Sequence, residues 1–182
     1  QGRPVFGVEM KIVDADNKPL PWDGKSAGAV KVRGPWIIAE YYRYDGQTLD
    51  DDGWFETGDV ASIDEYGYMQ ITDRVKDVIK SGGEWISSIE LENCAVNHPK
   101  VAEAAVVGMP HPTWSERPLL LVILNEGESL SREEMLAWFD GKVAKWWIPE
   151  ECLFVDALPH TATGKLSKKD IRAEYADFTW PT

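Results

Sequence analysis

The feature that most limits what this chain can fold into is a change of pattern at Asp73. Before it, apolar residues alternate in short runs separated by turn formers: Val8, Met10 and Ile12, then the polar stretch 14–24, then Val30 and Val32 ahead of Gly34-Pro35. Alternation with a period of two belongs to half-buried strands, and the polar clusters between runs belong to hairpin turns. A further strand is expected around 59–62, flanked by Gly53-Trp54 and the turn Asp64-Glu65-Tyr66-Gly67, with 68–72 as its hairpin partner. Thr57-Gly58-Asp59 would then stand at the start of that strand. So few strands cannot close a core alone, and residues 1–73 are expected to be the trailing β part of a larger N-terminal domain. The start, Gln1-Gly2-Arg3-Pro4, points the same way, towards a fragment.

After Asp73 strands alternate with helices. Ser87 and Glu90 have the spacing of a capping box, with Leu91, Cys94, Ala95 and His98 on one face of the helix that follows and Pro99 at its end. The apolar runs 101–109 and 119–124, bounded by prolines, read as buried strands. A second capping box, Ser131 and Glu134, opens a helix with Met135, Trp138 and Phe139 at helical spacing. Residues 152–155 read as a last strand, and Ser167 as the start of a last helix with Ile171 and Tyr175 inward. The expected fold class is α+β: a small β-sheet packed with helices over 77–182, preceded by antiparallel β segments.

Charge narrows the partners. A formal net charge of −12 disfavours nucleic acid, because phosphate binding needs a basic face that releases counterions. Two basic windows nevertheless stand out, Arg74, Lys76 and Lys80, and Lys165, Lys168, Lys169 and Arg172. Such windows suit a small anion; for Lys168, Lys169 and Arg172 the solvated face of a terminal helix explains them equally well. No apolar run reaches the length of a membrane span. Cys94 and Cys152 stand far apart with no ligand-spaced partner, so neither a disulfide framework nor a metal site is expected, and a reducing, cytoplasmic setting is. His98 and His111 precede proline, which favours turn or helix-end roles.

Three segments can carry chemistry. An aspartate such as Asp59 beside a glycine can accept two O–H donors at once, as a ribose diol requires. Ser81-Gly82-Gly83-Glu84 leaves the backbone bare ahead of aromatic Trp85, which fits a close approach or a hairpin turn. Pro159-His160-Thr161-Ala162-Thr163-Gly164-Lys165 delivers one lysine from a small-residue loop, and the compact charge of a lysine suits a phosphate. It is not a Walker A loop, since no glycine stands five residues before Gly164.

Taken in order, Thr57-Gly58-Asp59, then Asp73-Arg74 through Trp85-Ile86-Ser87-Ser88, then Thr163-Gly164-Lys165 resemble the AMP-forming adenylating superfamily of acyl-CoA ligases, luciferases and peptide-synthetase adenylation domains. The resemblance spans essentially the whole chain. Lys80 to Ser88, His111 to Pro118 and Ala144 to Pro149 look most like the medium- and long-chain fatty-acid ligase branch, and a methylmercaptopropionate-type ligase is similar as well. Many relatives begin the hinge motif with Gly-Arg where this chain has Asp73-Arg74, a variation the fatty-acid branch tolerates.

The resemblance implies that Asp59 binds the ribose hydroxyls of ATP or AMP and that Arg74 supports ribose and phosphates. Lys76 falls at the hinge and among the nucleotide-binding positions, with 74–76 as the hinge segment. Lys80 and Trp85 match nucleotide contacts, and Gly82, Gly83 and Glu84 match the loop lining the pantetheine channel. Lys165 matches the catalytic lysine of adenylate formation, and 77–182 becomes a mobile C-terminal lid domain. The implied partners are a small carboxylic acid, ATP and CoA, with Mg²⁺ held mainly by the nucleotide and by the family's N-terminal region. The family's phosphate loop and acyl pocket have no counterpart in these residues, so the fragment alone is expected to be inactive. Two other readings share the motifs: an adenylation domain that passes its acyl group to a carrier protein, and a non-catalytic nucleotide-binding module.

Overall fold

In the computed structural model, which describes residues 2–181, strands β1 (Glu9–Val13), β2 (Ala27–Arg33), β3 (Phe55–Ile63) and β4 (Met69–Arg74) form one antiparallel meander in chain order. Ile12 faces Val30 across β1 and β2, and these two with Ala61 and Ile63 make a small buried cluster. Strand β3 begins earlier than the alternation suggests. Its ladder with β2 runs Ala29 to Val60 and then Lys31 to Glu56, so Val30 alone spans Thr57, Gly58 and Asp59. The triplet therefore lies inside a strand, at a β-bulge, and not at a strand start. Gly58 takes φ +78°, a left-handed conformation that glycine adopts without Cβ strain.

The chain divides into two compact units, Gln1–Lys76 and Asp77–Thr182. In the second, β5 (Ile79–Ser81), β6 (Glu84–Ile86), β7 (Val101–His111), β8 (Ser115–Leu124) and β9 (Glu151–Phe154) form a sheet ordered β6-β5-β8-β7, with β9 parallel to β8. The β7–β8 pair is one long hairpin. Its side chains alternate between two cores: Ala104, Val106, Leu120 and Val122 pack with Leu91, Ala95, Met135 and Phe139, while Ala105, Val107, Leu119 and Leu121 pack with Leu158 and Ile171. A sheet covered on both faces explains why these strands read as continuous apolar runs. Helices α1 (Ser88–Val96) and α2 (Arg132–Ala137) contribute to the first core and α3 (Lys168–Glu174) to the second.

Pro110 and Pro118 do not bound the strands; they lie inside β7 and β8. Each sits where the ladder can spare an N–H. Pro110 is on the edge strand, and Pro118 falls between the part of β8 that pairs β5 and the part that pairs β9. Both helix starts follow their capping signals. Ser87 Oγ accepts from the Glu90 N–H, and at α2 the Ser131 and Glu134 exchange is reciprocal.

The structure splits the last basic window: Lys169 is exposed, as a solvated face requires, whereas Lys168 and Arg172 are held inside the unit. Lys168 Nζ, 11% exposed, lies 2.9 Å from Glu92 and donates to Ser88 Oγ at 2.6 Å, and Arg172 donates to Asp77 at 2.7 Å. Neither belongs to a solvated face. Glu92 also accepts the Val106 N–H at 2.8 Å, so one carboxylate joins α1, the outer edge of β7 and α3. Among the described residues no helix is long and apolar enough to cross a membrane.

Breaking a nearly buried ion pair from one side strands the other charge. Glu92→Ala is therefore expected to destabilise the 77–182 unit by about 3–5 kcal/mol, read as a lower midpoint in chemical denaturation.

Candidate functional site

In the first unit the β3 bulge and the end of β4 place their polar groups together. Asp59 and Arg74 are register partners, and Arg74 Nη1 donates to Asp59 Oδ1 at 3.2 Å. Arg74 is half-exposed and Asp59 a quarter exposed, so this contact is easily exchanged for a ligand. An open cavity of about 380 Å³ is lined by Glu56, Gly58, Arg74, Val75 and Lys76. A Cβ built at Gly58 would meet nothing within 4 Å, so the glycine serves the backbone turn and leaves the cavity wall bare. Glu56, which lines the same cavity, was not singled out from sequence, where it is one acidic residue among many.

The backbone on either side of Lys76 is anchored. The Val75 N–H donates to the Gly58 carbonyl at 2.9 Å, while Asp77 is held by Arg172. Lys76 is the one residue between these two attachments, and the boundary between the compact units falls directly after it.

In the second unit, Gly82 and Gly83 form the two-residue turn between β5 and β6, with φ +59° and +89°. Positive φ at both central positions is the turn that suits the twist of a hairpin. Lys80 and Trp85 are cross-strand partners beside it, and Glu84 is exposed. Trp114 backs the turn: its carbonyl accepts the Gly82 N–H at 2.9 Å, and a Cβ on Gly82 would lie 3.0 Å from the indole. Glu116 accepts the Lys80 N–H at 2.8 Å. Arg117 donates to Glu150, Ser81 Oγ and the carbonyls of Trp146 and Ile148, which ties β5 to the segment before β9. The segment Trp114-Ser115-Glu116-Arg117 stands out in sequence only by resemblance, and its support of the glycine turn is a tertiary property that local spacing does not carry.

Lys165 ends an exposed loop closed on itself. His160 and Leu166 are bridged, the Thr161 N–H donates to the Lys165 carbonyl at 2.7 Å, and Gly164 turns the chain at φ +77°. Thus the structure groups Asp59, Arg74 and Lys76 in one unit and Lys80, Gly82, Gly83, Glu84 and Trp85 in another cluster of the second unit, with Lys165 on a loop of its own.

The thiols offer no nucleophile. Cys152 is buried and its thiol is pushed up to about 12, and burial also raises that of Cys94. His98 is held below its ordinary value by burial, with Lys100 and Lys142 adding to the effect. It accepts the Lys100 N–H, and His111 accepts those of Thr113 and Trp114, so both serve turns. Among the described residues no group of three or more His, Cys, Asp and Glu is arranged to hold a metal ion.

Residues 90–165 match the AMP-binding enzyme C-terminal domain. The chain is 59% identical to 3-methylmercaptopropionyl-CoA ligase of Ruegeria lacuscaerulensis, over 97% of its own length and 33% of that protein. It is 48% identical to medium-chain-fatty-acid–CoA ligase of Ectopseudomonas oleovorans, with the same coverage of 97% and 33%. The chain therefore spans about a third of the length of these relatives. Among solved structures it is similar to ATP-bound MatB from Rhodopseudomonas palustris, at TM-score 0.82 and 33% identity, covering 97% of this chain and 35% of that one. The apo form of the same protein gives a TM-score of 0.65.

Because Gly82 combines a left-handed φ with indole contact, Gly82→Ala is expected to cost about 1–2 kcal/mol. Gly83→Ala, in open space but at φ +89° and so further from the left-handed minimum, is expected to cost at least as much through the backbone alone. Chemical denaturation of the two variants checks both.

Proposed function

We propose that this chain is the C-terminal part of an ATP-dependent, AMP-forming carboxylic acid–CoA ligase, a reading supported by the match of residues 90–165 to the AMP-binding enzyme C-terminal domain. The observation that carries the reading is the set of three separate stations on one chain: a ribose-type acceptor at Asp59, a lysine on a closed loop at Lys165, and a side-chain-free turn at Gly82-Gly83.

A carboxylate is a poor acyl donor at neutral pH. In the first half-reaction its oxygen attacks the α-phosphate of ATP, the bond to the β-phosphate oxygen breaks, and acyl-adenylate and pyrophosphate form. The Lys165 ammonium lies between two anions in this step, offsetting their repulsion and the charge of the transition state. Asp59 accepts the ribose hydroxyls in place of its present contact with Arg74, and Arg74 turns to the phosphates; both fix position. Lys76, Lys80 and Trp85 complete the nucleotide contacts. Mg²⁺ would arrive on the ATP phosphates, since no cluster of the described residues fits it.

In the second half-reaction the CoA thiol attacks the acyl carbonyl and AMP leaves. Lysine and thiol cannot occupy one place, so we assign residues 77–182 the role of a lid that turns about Lys76. The turn withdraws Lys165 and presents Gly82-Gly83 and Glu84 to pantetheine. One finding supports this: Lys76 is the single residue between two anchored neighbours.

The acid we assign is a fatty acid, on the motifs shared with the medium- and long-chain branch. The second reading, 3-methylmercaptopropionate, is favoured by the 59% identity. We place the protein in the cytoplasm, in keeping with its two free thiols.

The test uses the complete enzyme with a panel of carboxylic acids. Lys165→Ala is expected to lower adenylate formation, followed by ATP–pyrophosphate exchange, by about 10²–10³-fold while largely sparing thioester formation from supplied acyl-adenylate. Equal loss in both half-reactions would sink this division of labour. Lys76→Pro, which removes backbone freedom at the junction, should do the reverse. Transfer to a carrier protein but not to free CoA would favour the adenylation-domain reading instead.

A further inference from the structure

His160 opens the loop that carries Lys165, and its ring is bonded on both sides. Nδ1 lies 2.8 Å from the Leu158 carbonyl, and Nε2 lies 2.8 Å from Glu103 Oε1 on β7. The ring thus bridges a backbone carbonyl at the loop's base and a carboxylate on the sheet. We propose that His160 and Glu103 form a latch that positions Lys165 for adenylate formation, an inference that rests on the ligase reading above.

The loop is internally rigid. The His160–Leu166 bridge, the Thr161 to Lys165 hydrogen bond, the Gly164 N–H to the Thr161 carbonyl at 2.9 Å and the Lys165 N–H to Thr161 Oγ1 at 3.2 Å fix the Lys165 backbone relative to His160. The Ser167 N–H closes the base onto the Pro159 carbonyl at 2.8 Å. These bonds hold the loop together but do not aim it, because every one of them is made within residues 159–167. Leu166 packs against the core of the β7–β8 hairpin, and the side chain of His160 adds a polar tie from this ring to Glu103, beside the irregularity at the start of β7. Residues 161–165 are exposed, and no hydrogen bond or ion pair restrains the Lys165 ammonium within the described residues.

The latch is suited to aiming more than to stability. His160 and Glu103 are each more than a third exposed, and exposed ion pairs add little to folding. A lysine that must meet two oxygens is a different matter, since a displacement of about 1 Å can cost about 100-fold in rate. Residues aimed in this way are positioning residues: neither His160 nor Glu103 touches substrate.

The experiment compares His160→Phe, Glu103→Ala, the double variant and His160→Arg in the complete enzyme. Arginine can still donate to a carbonyl and a carboxylate together. Adenylate formation is expected to fall between about 10- and 100-fold in each single variant, no further in the double variant, and to recover in His160→Arg. Thioester formation from supplied acyl-adenylate and the thermal midpoint should hardly move. Parallel loss in both half-reactions, or loss that follows the midpoint, would show a structural role only and overturn the latch. Wild-type rates in Glu103→Ala would also overturn it, and that variant serves if His160→Phe fails to fold. If the wild-type enzyme forms no adenylate with any acid, the ligase reading fails and the latch with it, an outcome distinct from latch-specific failure.

Discussion

The second unit depends on the β7–β8 ladder, which is paired from Val101 and Leu124 to His111 and Ser115 and buried on both faces. Such a pair leaves one problem, the unpaired outer edge of β7. Side chains from elsewhere close it. Glu92 accepts the Val106 N–H, and Trp180 Nε1 donates to the Pro110 carbonyl at 2.7 Å. An edge strand covered in this way cannot recruit another strand. The same edge holds Glu103, so the scaffold that resists aggregation also faces the loop of Lys165.

A second constraint concerns Lys76. The hinge proposed there needs immobile neighbours, because a rotation spread over many residues would deliver no defined end state. Val75 belongs to the β3 bulge through the Gly58 carbonyl, and Asp77 belongs to α3 through Arg172. The bulge leaves the Gly58 carbonyl to accept from Val75, the last residue before Lys76, while a separate irregularity in the β3–β4 ladder, after Val60, sets Asp59 opposite Arg74. Arg172 links the residue after the junction to the helix that directly follows the lysine loop.

What was legible in the sequence follows from how local each signal is. Capping at Ser87 and Ser131 involves residues three apart, and both helix starts were readable. The runs 101–109 and 119–124 were recognisable as buried strands because two-sided burial erases alternation. Position within β3 was not readable, since the bulge opposite Val30 breaks the period on which the reading relies. The prolines misled for a related reason: proline interrupts a ladder only where an N–H is required, and at Pro110 and Pro118 none is. The site residues could be listed from motif order, but the grouping of Trp114 behind Gly82, or of His160 against Glu103, joins residues 32 and 57 positions apart and has no local signature.

The last basic window shows why charge counts alone mislead. Lys165, Lys168 and Arg172 stand within eight residues and look alike in sequence. Packing divides them. Lys168 and Arg172 point into the unit and meet Glu92 and Asp77, so their charge is matched by the protein and their role is to seat α3. Lys165 precedes the helix on a loop tied to the sheet through His160, and its own ammonium has no protein counter-ion within hydrogen-bond reach among the described residues. A cation matched inside the fold cannot serve an incoming phosphate without breaking that pair, whereas an unmatched cation on a rigid loop can. By holding α3 against α1 and Asp77, the two ion pairs anchor the far end of the segment from which Lys165 projects.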